Sequence, residues 1–330
     1  MNTYSLPASP RLLIEARLRP IQGSRFQPTG FPDLGAATYT APAAAGSVET
    51  EMLLVESAQS MANRLERVCW DELNNALVAS LEGIPFVRVL RPDGSHLTSS
   101  IEEAHRINSP YILEASAKKV FGQLKADLAA LDAAAVDMRA VARVVGRIDL
   151  NALLHGVFLA QSELAGGRIR VARALSSFVE AADVRVAASG GVKNDILSAQ
   201  GGGEGKKAAE GYGNVPFHRD EYVAGSIVAY FNLDLSQLRS YGLPEPVTQL
   251  LFALALYKIR AVLTSGLRFR TACDLDVDGE PVVTRPAGFV LPSLAELEAA
   301  LPDLVRAAAA TGAFANPPVT EVVYASGKAG

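Results

Sequence analysis

Residues 225–238 read Gly-Ser-Ile-Val-Ala-Tyr-Phe-Asn-Leu-Asp-Leu-Ser-Gln-Leu. Ile227, Ala229, Phe231, Leu233 and Leu235 alternate with Ser226, Tyr230, Asn232 and Asp234, the two-residue period of a half-buried strand. One face of such a strand packs and the other meets solvent or a ligand. Residues 11–19 show the same alternation, with Leu12, Ile14, Ala16 and Leu18 opposite Glu15, Arg17 and Arg19. A further strand follows Gly266, with Leu267, Phe269, Thr271, Cys273 and Leu275 on one face and Arg268, Arg270, Asp274 and Asp276 on the other.

Helical spacing is expected over 51–65, where Leu54, Ala58, Met61 and Leu65 recur behind Glu49 and Glu51, leaving Ser57, Ser60 and Arg64 on a polar face. Further helices are expected over 71–81 and 115–131. Within 146–180, an apolar patch at 153–159 precedes a helix-like stretch ending in Ala172-Arg-Ala-Leu175. The helix entered through Pro244 and Pro246 is apolar on nearly every side, so burial is expected. The last helix, 294–309, stops at Gly312. Residues 20–48 read as a long loop and 84–100 as irregular strand around the turn Pro92-Asp93-Gly94. Asp278-Gly279 is a hairpin-turn signal. The glycine- and lysine-rich residues 189–217 cannot supply a core and read as a protruding insertion.

A net charge of −4 argues against a protein that coats a polyanion. Segregation offsets this, because Arg and Lys gather at 139–173, 193–219 and 258–270 while Asp and Glu gather at 274–280 and 296–303. The longest apolar runs, such as 250–256, fall short of the ~20 residues of a membrane helix. The N-terminus lacks the pattern of a secretory signal. Cys69 and Cys273 are expected to be buried thiols, as suits a cytoplasmic protein.

Motifs with chemistry are few. Asp274-Leu-Asp-Val-Asp-Gly279 opens like a calcium loop, but Arg285 stands at its twelfth place and Pro281 at its eighth. Gly205-Lys206-Lys207 resembles the end of a phosphate loop without its Ser or Thr. His96, His105, His155 and His218 have no metal or triad spacing. Hence no cofactor, metal or catalytic constellation is expected. Gln22-Gly-Ser-Arg25-Phe26 after the first strand offers donors for phosphates, with Arg19 beside it and a ring able to stack on a base or pack.

Tyr230-Phe-Asn-Leu-Asp-Leu-Ser-Gln-Leu238 resembles the corresponding strand of CRISPR Cascade backbone subunits of the RAMP superfamily. Asp149-Leu-Asn-Ala-Leu-Leu-His-Gly156 and Val171-Ala-Arg-Ala-Leu-Ser176 are similar to architectural elements of the same family. Residues 13–33 look specifically like the type I-G (formerly I-U), GSU-type protein.

The resemblance implies an α+β fold: a ferredoxin-like, RRM-type palm within a single domain, 1–330. Insertions at 20–48, 84–145 (finger) and 189–217 (thumb-like) would project from it. It implies a non-catalytic subunit that polymerises along crRNA, meets neighbouring copies of itself and other Cascade subunits, and reaches the target DNA strand by way of the guide in antiviral defence. By the same resemblance Ser57, Gln59, Ser60 and Asn63 grip the guide backbone. Lys193, Asn194, Lys206, Lys207, His218 and Arg219 of the insertion, with Arg268 and Arg270, complete the expected RNA contacts. Two alternatives stay open: a related subunit that cuts target RNA through Asp33 or Asp195 with a metal, and a soluble enzyme with a glycine-rich lid.

Overall fold

Leu12, Ile14, Ala16 and Leu18 are all buried, and each lies opposite a buried residue of the 225–238 stretch: Leu233, Phe231, Ala229 and Ile227. A one-residue slip of either strand would turn its apolar set to solvent, so the hydrophobic pattern constrains the register. The computed structural model describes residues 4–42, 48–129, 137–193 and 215–325. These strands lie within an eight-stranded sheet whose pairings are all antiparallel. From the central strand Arg11–Pro20, the sheet runs one way through Val215–Asp234, Leu175–Lys193, Thr50–Glu56 and Thr38–Ala41. The other way it runs through Cys273–Val277 to Leu267–Arg270, and Val282–Arg285 takes the rest of the central strand's edge.

Helices Ala58–Arg67 and Glu245–Thr264 join the buried face of this sheet in one core, and Leu294–Ala309 packs outside the second of them. Glu245–Thr264 has the length and hydropathy of a membrane-crossing helix, yet most of it is buried. The other sheet face carries a stacked Phe178–Tyr230 pair, 5.1 Å between centroids. There Tyr39 Oη donates to Glu180, and that bond leads in pushing the phenol's pKa up to about 12. The 84–145 region folds into the same core as the sheet. Its strand Phe86–Leu90 pairs in parallel with Val319–Val323, so the last strand among the described residues holds it down.

Several local expectations give way to non-local pairing. Residues 51–56 form a strand, because Leu53 finds Ala181 across the ladder, and the helix starts only after Ser57. Residues 71–81 are not an α-helix: the Asp71 carboxylate accepts from the Leu73 and Asn74 N–H groups, and Trp70–Asp71 pairs with Ala76–Leu77. No helix leads to Leu175, since Ile169–Val171 pairs with Val157–Leu159 and Leu175 opens a sheet strand opposite Leu233. The 225–238 strand ends at Asp234, whose carboxylate accepts the Gln237 N–H and caps the helix Leu235–Ser240.

Residues 267–275 fold back so that Arg268 lies opposite Asp274. Gly279 turns the chain with φ +86°, but its flanking strands both pair with Arg11–Pro20 and make no hairpin together. The loop at 20–48 contains the edge strand Thr38–Ala41. At 189–217, the hairpin ladder extends to Lys193 and resumes at Val215, and residues 194–214 lie outside the described residues. Cys69 and Cys273 are buried and free, as expected.

A buried polar network holds the helices to the sheet. Arg106 donates through Nε and Nη2 to both Glu66 oxygens at 2.7 Å, and through Nη1 to the Gly156 carbonyl at 3.0 Å. Asn151 Nδ2 donates to Glu66 at 2.6 Å and its Oδ1 accepts from Lys258. Lys258, fully buried in the Glu245–Thr264 helix, also reaches Leu65 O at 3.3 Å and His155 Nε2 at 3.1 Å through Nζ. Beside them Asp149 is fully buried. Burial first, then the charge of Glu66, pushes its carboxyl up to about 7, against the Ala152 N–H, Arg106 and Ser100.

The folded protein therefore binds a proton at Asp149 that the unfolded chain releases near pH ~4. The stability from that proton is complete below pH ~4 and is lost as pH rises through about 7. Asp149→Asn should gain melting temperature relative to wild type between pH 5 and 8, by the equivalent of a few kcal/mol. Parallel melting curves for the two proteins across that range would contradict this.

Candidate nucleic-acid interface

The loop after the first strand is stitched to the sheet by its backbone. Ile21 N–H donates to Asp274 O at 3.0 Å, Gln27 N–H to Ala272 O at 2.7 Å, and Phe26 exchanges two hydrogen bonds with Tyr222. The Phe26 ring is 1% exposed, so the expectation that it meets a base is corrected: the bridge to Tyr222 turns it into the core. Arg270 is likewise a structural clamp and not a free donor. It donates to Gln27 O at 3.0 Å, to Thr29 Oγ1 and to Glu56 Oε2 at 2.8 Å, fixing the loop beside the end of Thr50–Glu56.

Two buried carboxylates on this surface are each shared by two arginines. Glu221 lies 3.6 Å from Arg25 Nε and accepts from Arg219 Nε at 2.9 Å. Glu56 faces Arg270 and, at 3.9 Å, Arg64. One charge of each arginine pair is left uncompensated. Directly after Glu56, Ser57 caps the helix Ala58–Arg67 by accepting the Ser60 N–H at 3.3 Å. That first turn holds no acidic residue, so the positive end of the helix is open to an anion.

Arg173 extends the line. It donates to Ala58 O and to Gln59 Oε1, both at 2.9 Å. Beyond it opens a cleft of about 880 Å³ between the helix start, residues 104–108 and the Val157–Leu159/Ile169–Val171 hairpin. Exposed Phe158 stands in its wall with the Arg170 guanidinium 4.9 Å from the ring centroid. Gly156 lets its turn lie against the backbone of residues 171–173: with φ +79°, a Cβ there would meet Val171 O at 2.7 Å and Arg173 N at 3.0 Å. His155 lies under the cleft, its pKa held well below 6.5 chiefly by burial and then by Lys258, Arg106 and Arg173, so the ring is neutral.

Two groups of expected residues result: Arg25 and Arg219 share Glu221, and Ser57, Gln59 and Ser60 stand together at the start of the helix beside Arg173, with exposed Asn63 a turn further along. Arg19 is exposed and shared loosely with Asp276 and Asp278, each 3.9 Å away. Gln22 is exposed in the loop, and His218 is exposed on the long hairpin opposite Gly190. Arg268 is exposed, and its carbonyl accepts from Arg64 at 3.2 Å. The backbone of Lys193 ends the described hairpin strand, whereas Asn194, Lys206 and Lys207 lie outside the described residues. Asp33 sits exposed in a turn at φ +64°, and Asp195 is again outside them. Among the described residues no cluster of His, Cys, Asp or Glu is placed to hold a metal.

Sequence reasoning missed Asn108, Phe158, Arg170 and Arg173. The available signals were the basic cluster at 139–173 and an aromatic residue in an apolar run, neither of which reveals that a turn at Gly156 brings them together.

No curated protein matches the chain by sequence. Among solved structures it is similar to a chain of a "CRISPR RNA-guided surveillance complex, pre-nicking" at 15% identity, over 77% of this chain and 69% of that one, with a TM-score of 0.36. It is similar also to Csc2 of Thermofilum pendens at 10% identity, over 91% and 77% of the two chains, with a TM-score of 0.33. The family model for CRISPR-associated protein GSU0053 matches residues 12–186, just over half of the chain, and spans the first strand, the capped helix and the cleft. The chain belongs to the family of CRISPR-associated protein GSU0053.

Proposed function

We propose that the chain is a non-catalytic, guide-RNA-binding backbone subunit of a cytoplasmic, type I-G Cascade effector that polymerises along crRNA. Family membership supports the setting. The observation that carries the reading is the group of donors at the N-terminus of Ala58–Arg67, where Ser57 and Gln59 meet Arg173 and the cleft continues to Arg170; the Arg25–Arg219 pair adds a second basic cluster. It gives a chain of net charge −4 a surface on which phosphates meet arginine and helix N–H groups.

The strand order supports a ferredoxin-like palm. Cys273–Val277, Arg11–Pro20, Val215–Asp234 and Leu175–Lys193 are neighbours in that order, and a helix precedes the second and fourth of them in the chain sequence β-α-β-β-α-β. In this reading the segments 20–48, 84–145 and 189–217 are its insertions, the second anchored in the palm's core. Copies stack head to tail along the guide, a contact that repeats without closing into a ring. The protein holds the backbone, and base pairing reads the target DNA.

Co-expression with a guide-encoding array should yield a large particle from which guide RNA is extracted, and expression without it should not. If each subunit neutralises about four phosphates, log affinity for single-stranded RNA falls with log salt at a slope of about −3 per subunit. A salt-independent affinity contradicts the proposal. Arg25→Ala should reduce that slope by about 0.7 and leave the melting temperature unchanged. Arg270→Ala should instead cost about 2 kcal/mol of stability, because it leaves Glu56 buried beside a weaker partner.

A further inference from the structure

The strand Val319–Val323 is paired on one side only: Phe86–Leu90 takes that side, and among the described residues no strand joins its other edge. In a parallel ladder the N–H and C=O groups of successive residues point to opposite sides. Tyr324 N–H donates to Leu90 O, so Thr320 and Val322 also face Phe86–Leu90, whereas Val319, Glu321 and Val323 face away. Val323 N–H donates to Ser116 Oγ at 2.8 Å, in a turn where Ser116, Ala117 and Lys118 all have positive φ. That turn closes one end of the edge. The outward N–H groups of Val319 and Glu321 have no acceptor among the described residues.

Along this edge runs a groove of about 600 Å³ whose opposite wall is the helix Lys119–Ala129. Consecutive strand residues, Val319, Thr320 and Glu321, border it, so it follows the edge and not one face of the strand. An open edge rich in β-branched residues is a template for pairing with another chain. Addition of an extended segment to such an edge takes affinity from the main chain and specificity from alternate side chains. The charge in the groove selects that segment. Glu321 is paired with Arg88 at 3.5 Å, and exposed Lys119 and Arg147, neither in an ion pair among the described residues, stand against Asp127 alone. We propose that the groove takes an extended, acidic segment of a partner protein as an added strand, hydrogen-bonded to Val319 and Glu321 with its carboxylates toward Lys119 and Arg147. None of the residues lining the groove borders the cleft beside Gly156, and the proposal does not rest on the guide-RNA reading.

The test is selection of random phage-displayed peptides on the immobilised full chain, followed by fluorescence anisotropy of the enriched peptides. Enriched sequences are expected to alternate apolar residues with Asp or Glu. Glu321→Pro, which deletes an outward N–H and spares the ladder to Phe86–Leu90, should weaken their binding about tenfold, whereas Glu321→Gln, which keeps that N–H, should not weaken it. Should the proline variant fail to fold, Lys119→Glu combined with Arg147→Glu, which leaves the strand untouched, should weaken binding about tenfold. Failure to enrich any peptide, or enriched peptides indifferent to these variants, overturns the proposal. Enrichment of basic sequences overturns the acidic assignment. A dimer of the peptide-free chain that Glu321→Pro dissociates gives the edge to a second copy and overturns the partner. An oligoribonucleotide that displaces the peptides makes the groove a nucleic-acid site and overturns it as well.

Discussion

The Glu66–Arg106 pair is the contact on which the surrounding architecture depends. It lies at the meeting of the capped helix, the 84–145 region, the short Ala152–His155 helix and the long Glu245–Thr264 helix, and Asn151 passes it on to Lys258 and His155. Both partners are almost fully buried, so each charge has lost its water and depends on the other. Removing one partner of such a pair typically costs ~3–5 kcal/mol, because the remaining charge stays buried. Arg106 also occupies the left-handed region at φ +52°, a conformation that a non-glycine residue holds only when its surroundings over-determine it. Two oxygens of Glu66 and the carbonyl of Gly156 do so here.

The same network shapes the surface above it. Lys258 and Arg106 carry two positive charges against the carboxylate of Glu66 and a part-protonated Asp149, while His155 is neutral. A positive surplus is thus held under the cleft, where low dielectric and distance from bulk ions preserve its reach. Glu56 and Glu221 follow a related scheme, each shared between two arginines. The acidic residues that make the chain's total charge negative include Asp276 and Asp278 beside Arg19, at the far end of the first strand. An acidic total and a basic surface coexist because charge is sorted by position.

Much of the sheet was legible from residue order alone. Leu12 to Leu18 and Ile227 to Leu233 alternate without interruption, and a two-residue period on one buried face excludes every register shifted by an odd number of residues. The buried helix after Pro244 and the capped helix after Ser293 were equally plain, although a lysine at the heart of the first was not expected to find three acceptors. The start of the helix after Ser57 was misjudged by a strand's length. Leu54 falls in helical phase with Ala58 and Met61, and only pairing with Leu175–Lys193 draws residues 50–56 into the sheet. Part of the site was legible for a related reason: Ser57, Gln59 and Ser60 belong to one local motif, and Arg25 lies in a loop whose composition advertises donors.

Sequence by itself determined which faces are apolar, where the chain turns at Gly94 and Gly279, and which residues carry charge, since these depend on neighbours within a few positions. Tertiary structure alone decided that Phe26 packs, that Arg270 clamps a loop, and that Asn108, His155, Phe158 and Arg173 border one cleft. Those outcomes rest on contacts between segments separated by tens to hundreds of residues. Their energies come from burial and pairing that no local pattern records.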